Sequence, residues 1–268
     1  MKVVRTLLLG DPEALGRWVE HPSGRRVAAV ALAALAGMAV YGLTVGWWRS
    51  PMMGLYVAAK MPLLIVCTLG CNALLNGLFG MLLGSGLGIG RSLFALLLSF
   101  AVAALILGSL APVTWFLAWN APPPDSPDAA RSHAGYLVSH TFLVGYAGVV
   151  ANLHLHRLLQ SRSASRRIAS LTLFAWLAGN AFLGAQFSWV LRPFFGSPDL
   201  NVAFLRPHPL DGNFYEAVWR SLVRIAGHPA AAGLLLTAAL AGVAIPVLRA
   251  LAPPRAQRPG LSQPTIHP

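Results

Sequence analysis

Residues 61–90 read MPLLIVCTLG CNALLNGLFG MLLGSGLGIG, a run of thirty residues between Lys60 and Arg91 without one charge. An α-helix rises about 1.5 Å per residue, and the hydrocarbon core of a bilayer is about 30 Å thick, so about 20 such residues suffice to cross it. The run therefore predicts one membrane-spanning helix, at 62–83, with residues left over for a turn. Gly84, Gly86, Gly88 and Gly90 supply that turn. A phosphate-binding loop is the other reading of so many glycines, but no strand precedes them and no Gly-Lys-Ser or Gly-Lys-Thr follows.

Working outward, the same pattern recurs. Charge-poor stretches at 27–48, 92–116, 136–155, 168–191 and 229–248 are each long enough to cross as helices, giving six expected spans. The whole composition agrees: 56% of the 268 residues are hydrophobic and 10% charged, with a mean hydropathy of +0.63. A soluble domain carries about 25% charged residues, and so few could not cover its apolar surface. The first span follows Arg25 and Arg26 as a signal peptide would, yet it is longer than the apolar region of one, so a retained first helix is expected.

The net charge of +12 would suggest nucleic acid in a soluble chain, but here the bases flank apolar runs, which points to topology and lipid headgroups instead. Lys2, Arg5, Arg17, Arg25 and Arg26 precede span 1, Arg157, Arg162, Arg166 and Arg167 follow span 4, and Arg249, Arg255 and Arg258 follow span 6. An even number of spans puts all three groups, with Arg91, on the cytoplasmic side. Arg49 and Lys60 are expected outside, as are the Pro-rich loop 121–128 and the long loop 192–228. The expected fold is thus an all-α polytopic bundle with both termini inside. It comprises a cytoplasmic segment 1–26, a membrane domain 27–252 and a disordered tail 253–268. Lysine is confined to two positions while Ala, Leu, Gly and Arg abound, a bias suggesting a GC-rich bacterial genome and a bacterial cytoplasmic membrane.

Two helices are expected to lie along the interfaces. Asp11-Pro12-Glu13 is a helix start, with a capping side chain, a first-turn proline and an acid, and its helix should run to about Glu20. Asn213 with Glu216 resembles a capping box. It opens a helix over 213–226 with Phe214, Val218, Leu222 and Ile225 on one face, Glu216, Arg220 and Arg224 on the other, and Trp219 as an interfacial anchor.

All eight acids fall outside the expected spans, which disfavours an ion-coupled mechanism built on an intramembrane carboxylate. Polar and small residues do form stripes: Thr68, Asn72 and Asn76 in span 2, and Thr141, Gly145, Gly148, Asn152 and His156 in span 4. Span 5 carries Thr172, Ala175, Gly179 and Gln186 on one side and Asn180, Gly184 and Ser188 on the other, which suggests a central helix. Close helix packing through small residues and interhelical amide bonds is the simpler reading, and a polar path or ligand cavity the other. His140, His154 and His156 do not converge on one face, so no metal or cofactor site is expected. Cys67 and Cys71 read as small apolar groups, and no serine sits in a nucleophile elbow. On the outside, Arg192, Asp199 and Asp211, with Glu216, Trp219 and Arg220, are candidates for an interaction surface.

The glycine- and amide-bearing spans 2 to 5, with short interfacial segments such as 48–61, resemble bacterial multi-span proteins of the Yip1-like kind. The stretches 186–199 and 213–223 resemble an uncharacterised bacterial membrane family. The resemblance implies a membrane organiser and not an enzyme, and a five-span core of that kind leaves one of the six spans unexplained. The function expected is therefore a non-enzymatic component that meets lipids or other membrane proteins. The alternative is a permease or transporter subunit with a path lined by Asn72, Asn76, Asn152 and Gln186.

Overall fold

The structure is a computed structural model that describes residues 2–84, 87–197, 200–234, 236–238 and 241. Among them there is no strand. Two short helices, α1 (Lys2–Leu9) and α2 (Pro12–Glu20), precede α3 (Gly24–Trp47), α4 (Pro51–Leu82), α5 (Ile89–Ser109), α6 (Ala111–Asn120), α7 (Ala129–Gln160), α8 (Arg166–Val190) and α9 (Phe214–Ala226). Five of these, α3, α4, α5, α7 and α8, are long and apolar enough to cross a membrane. The expected sixth span is described only as an apolar helix at Pro229–Ala238 and at Ala241, and its remaining residues and the tail lie outside the described residues.

The starts are written locally. Oδ1 of Asp11 accepts the Glu13 amide at 3.1 Å, Ser50 Oγ accepts that of Met53 at 3.1 Å, Ser165 Oγ that of Ile168 at 3.2 Å, and Asn213 Oδ1 that of Glu216 at 2.8 Å. Each satisfies an amide that the first helical turn leaves without a partner.

Three expectations are corrected. The helix expected at 62–83 starts earlier: Ser50 and Pro51 begin α4, which takes in most of the segment 48–61 and runs through Pro62 to Leu82. Lys60 is consequently fully buried within α4 and not exposed at a span boundary. The span expected over 92–116 ends at Ser109, and α6 starts anew after Leu110. Pro112 lacks the amide that would continue the i to i−4 ladder, which explains the break. Finally, among the described residues α8 is not central: it packs mainly on α4 and α7, and Phe174 and Phe182 are exposed.

The centre belongs to α3, α4 and α5. α3 closes on α4 through glycine: a β-carbon at Gly46 would lie 2.5 Å from the Met53 carbonyl oxygen, and one at Gly42 would lie 2.6 Å from that of Val57. Side chains there would force the helices apart, forfeiting the dispersion contacts that hold helices together in lipid. Around this core, α4 packs on α5, α5 on α7, α7 on α8, and α8 back on α4. The four form a ring. α1 and α2 lie across one end, burying Leu7, Leu15 and Val19 against α5 and α7, and Glu20 pairs with Arg162 beyond α7.

Candidate functional site

A cavity of about 330 Å³ lies inside the ring, with walls from all four helices and Met38 of α3. Its surface is largely aliphatic and aromatic, including Phe100, Leu107 and Leu177, with four polar exceptions: Thr68, Ser99, Asn152 and Asn180. None of these carries a charge. The walls are cut back where small residues face inward. A β-carbon at Gly148 would meet nothing within 4 Å, and one at Gly184 would come only within 3.9 Å of Thr68 Oγ1. The Thr68 hydroxyl is buried and has no hydrogen-bond partner.

Thr68 also opens the seam between α4 and α8. In that antiparallel contact each step of four residues along α4 matches a step of four back along α8. Thr68 lies by Gly184, the Asn72 Nδ2 donates to Asn180 Oδ1 at 3.1 Å, and Trp176 Nε1 donates to the Asn76 main-chain oxygen at 2.7 Å. The register is why polar residues spaced by four in both segments meet. The seam is under-satisfied, however. Asn72 Oδ1, both polar atoms of the Asn76 side chain and Thr172 Oγ1 are buried without partners.

The sequence-derived candidates therefore separate into groups. Thr68, Asn152 and Asn180 come together at the cavity, and Asn152 also donates to its own helix at the Gly148 carbonyl, 2.8 Å away. Asn72 and Asn76 belong to the seam and do not line the cavity. His156 ties α7 to α8 through Ser170 Oγ at 3.0 Å. Gln186 is taken up by the start of α9, its Oε1 accepting the Phe214 amide at 3.1 Å. Of the four residues expected to line one polar path, only Asn152 reaches the cavity.

The outer candidates are partly assembled. Arg192 stacks over Trp189 at 3.6 Å, and both donate to the Asp211 main-chain oxygen, Trp189 at 3.1 Å and Arg192 at 3.4 Å. Desolvation, with Arg206 nearby, holds the Arg192 guanidinium below its ordinary pKa, and Asp211 counters in part. Glu216 and Arg220 form the expected pair one turn apart on α9, and Trp219 is exposed. Tyr215 donates to the Phe182 carbonyl at 3.0 Å. Asp199, and the side chains of Val218, Leu222, Arg224 and Ile225 that make the expected apolar stripe and its opposite face, lie outside the described residues.

Sequence reasoning missed a second polar network, near the C-terminal end of α3 and the N-terminal end of α7. Tyr41 Oη bonds His140 Nδ1 at 2.7 Å, Tyr136 Oη donates to the Thr44 carbonyl at 2.6 Å, and Thr44 Oγ1 meets Thr114 Oγ1 at 2.6 Å. Phe195, from the loop after α8, packs edge-on against Tyr136 and tilted against His140. The available signal was weak: Tyr136 and His140 are one turn apart, but nothing in the spacing ties them to Tyr41. Among the described residues no three His, Cys, Asp or Glu side chains gather as a metal site.

No family model, curated protein or solved structure matches the chain.

Proposed function

We propose that this chain is a non-enzymatic integral membrane protein that holds a neutral, mostly apolar small molecule inside its helix ring. The observation that carries this reading is the cavity: apolar walls, no charged group, and a buried Thr68 hydroxyl left without a partner. Ligand sites are commonly apolar cavities of about 300–1,000 Å³ with a few convergent polar groups. A charged ligand would lose its hydration here with nothing to replace it. A ligand with one hydroxyl or carbonyl would satisfy Thr68, Asn152 or Asn180 while its chain contacts Phe100, Leu107 and Leu177. No acid or base lines the cavity, which supports binding over chemistry. Passage of a polar solute draws less support, because Asn72 and Gln186 hydrogen-bond elsewhere and neither they nor Asn76 line the cavity.

The test uses purified full-length protein in mild detergent, incubated with matched long-chain amphiphiles: a monoacylglycerol, the carboxylate and the quaternary amine. Native mass spectrometry should find the neutral species retained and the charged ones not. Gly148→Phe, which places a ring in open space, should abolish retention while the melting temperature holds. Equal retention of all three, or undiminished retention by Gly148→Phe, would remove the cavity from consideration.

A further inference from the structure

Outside the ring, the loop that follows α8 folds back over the first part of α4 and borders a second, part-open cavity of about 650 Å³. Its walls include Met53 and Val202 as apolar surface, Ser197 and Asn201 as polar groups, and the guanidinium-bearing side chains of Arg49 and Arg206. Beneath the same loop lies Lys60. Its ammonium donates to the Pro193 carbonyl at 2.7 Å and otherwise faces the rings of Phe204, at 5.1 Å, and Phe194, at 5.8 Å. It is fully buried, and among the described residues no carboxylate pairs with it. Aromatic faces attract a cation, but they do not cancel its charge.

The charge balance of this region can be taken from the sequence. The described residues of this region include Arg49, Lys60, Arg192, Arg206 and Asp211; counting from the sequence also Asp199, which lies outside the described residues, two positive charges remain even with both acids ionised. Arg49 is engaged with the loop, donating to the Ser197 carbonyl at 3.2 Å and the Leu200 carbonyl at 3.0 Å. Arg206 is exposed at the cavity wall. A buried cation and a surplus of positive charge beside an amphipathic cavity select an anion that also brings apolar surface.

We propose that this cavity binds the phosphate headgroup of an anionic phospholipid from the leaflet on that side, with the first part of an acyl chain against Met53 and Val202. Arg206 hydrogen-bonds the phosphate, Ser197 and Asn201 receive the glycerol, and the charge of Lys60 is balanced across the loop. The loop is held in place by Arg49 whether or not lipid is present. This site is separate from the ring cavity and takes a ligand of opposite electrical character.

The experiment uses full-length protein in mild detergent with dioleoyl phosphatidylglycerol and dioleoyl phosphatidylcholine, read by native mass spectrometry. Wild type should retain phosphatidylglycerol preferentially. Arg206→Gln should lower that retention about tenfold, the loss expected for one charge-assisted hydrogen bond, and Arg206→Lys should keep part of it. Asn201→Trp, from an exposed loop position, should obstruct the cavity and also lower retention. Gly148→Phe should leave it unchanged, which separates this site from the ring cavity. Equal retention of the two lipids, or an Arg206→Gln variant indistinguishable from wild type, would overturn the proposal. Displacement of the lipid by excess inorganic phosphate would assign the site to free phosphate and overturn it as well.

Discussion

Asn72 and Asn180 face each other across the α4–α8 seam, the amide of one donating to the carbonyl of the other at 3.1 Å. One turn further along α4, Asn76 is fully buried and its side chain makes no hydrogen bond. Two identical side chains on one stripe thus contribute in opposite senses. Asn72 gains an interhelical bond, while Asn76 has lost its hydration for nothing visible in return.

Substitution should separate them. Asn72→Leu leaves Asn180 without its partner and should lower stability in detergent by about 0.6 kcal/mol or somewhat more, the scale of interhelical hydrogen bonds in membranes. Asn76→Leu removes an unsatisfied amide of similar size and should be neutral or stabilising. Thermal denaturation of both variants checks this. A loss at Asn76 exceeding that at Asn72 would mean that its carboxamide holds a water or other guest.

The tyrosines of the outer network should behave unequally too. Tyr136→Phe removes one bond, to the Thr44 carbonyl, and should cost about 1 kcal/mol. Tyr41→Phe takes the one hydrogen-bond partner that His140 has among the described residues, and its Nε2 is already unpaired. An imidazole buried with both nitrogens unsatisfied should cost more, about 1–3 kcal/mol. Melting curves of the two variants should therefore differ in that order, and the reverse order would contradict the bonding described.

How far the chain could be read in advance depended on the range of the interaction. The caps at Asp11 and Asn213 were legible because the cap and the amide it satisfies lie two or three residues apart. Lys60 misled because intramembrane charge is costly, so a lysine reads as the edge of a span. Only the fold-back of Pro193, Phe194 and Phe204, more than a hundred residues later, makes its burial tolerable. The amide stripes announced that α4 and α8 carry interaction faces, but the partner of Asn72 is 108 residues away. Spacing within one helix holds no information on which other helix it meets. For the same reason α8, striped on two sides, suggested a central helix, whereas among the described residues it packs mainly on α4 and α7.

Topology can be tested where the fold commits itself. α7 is one helix from Ala129 to Gln160, so reporter fusions near Asp125 and after Arg166 should report opposite sides. We expect the outside for Asp125 and the cytoplasm for Arg166, from the distribution of arginine. A fusion near Gly212 should match Asp125, because α8 returns the chain across the membrane. A fusion at Arg258 decides the number of spans: cytoplasmic location means six crossings, and external location means five.

The last prediction concerns how α9 is attached. Its first turn docks on α8 through two bonds, Phe214 N to Gln186 Oε1 and Tyr215 Oη to the Phe182 carbonyl, and the loop just before it is held by Trp189 and Arg192, which donate to the Asp211 carbonyl. Burial also raises the pKa of the Tyr215 hydroxyl, consistent with a ring lodged against α8 (it stacks on Phe182 at 5.4 Å). The Phe214 amide belongs to the first turn, which has no intrahelical acceptor, so Gln186 acts as a cap supplied from another helix. Gln186→Leu should leave that amide unsatisfied. Combined with Tyr215→Phe, it should release the start of α9 while Asn213 still caps Glu216. Amide hydrogen exchange over residues 213–220 should then quicken about tenfold or more, as two hydrogen bonds of about 1 kcal/mol each would give. Exchange in α4 and α5 should not change, since neither variant touches the core. If 213–220 exchanges equally fast in wild type and variant, α9 is not anchored to α8 in solution, and Arg192, Asp211 and Trp219 could not form one interaction surface.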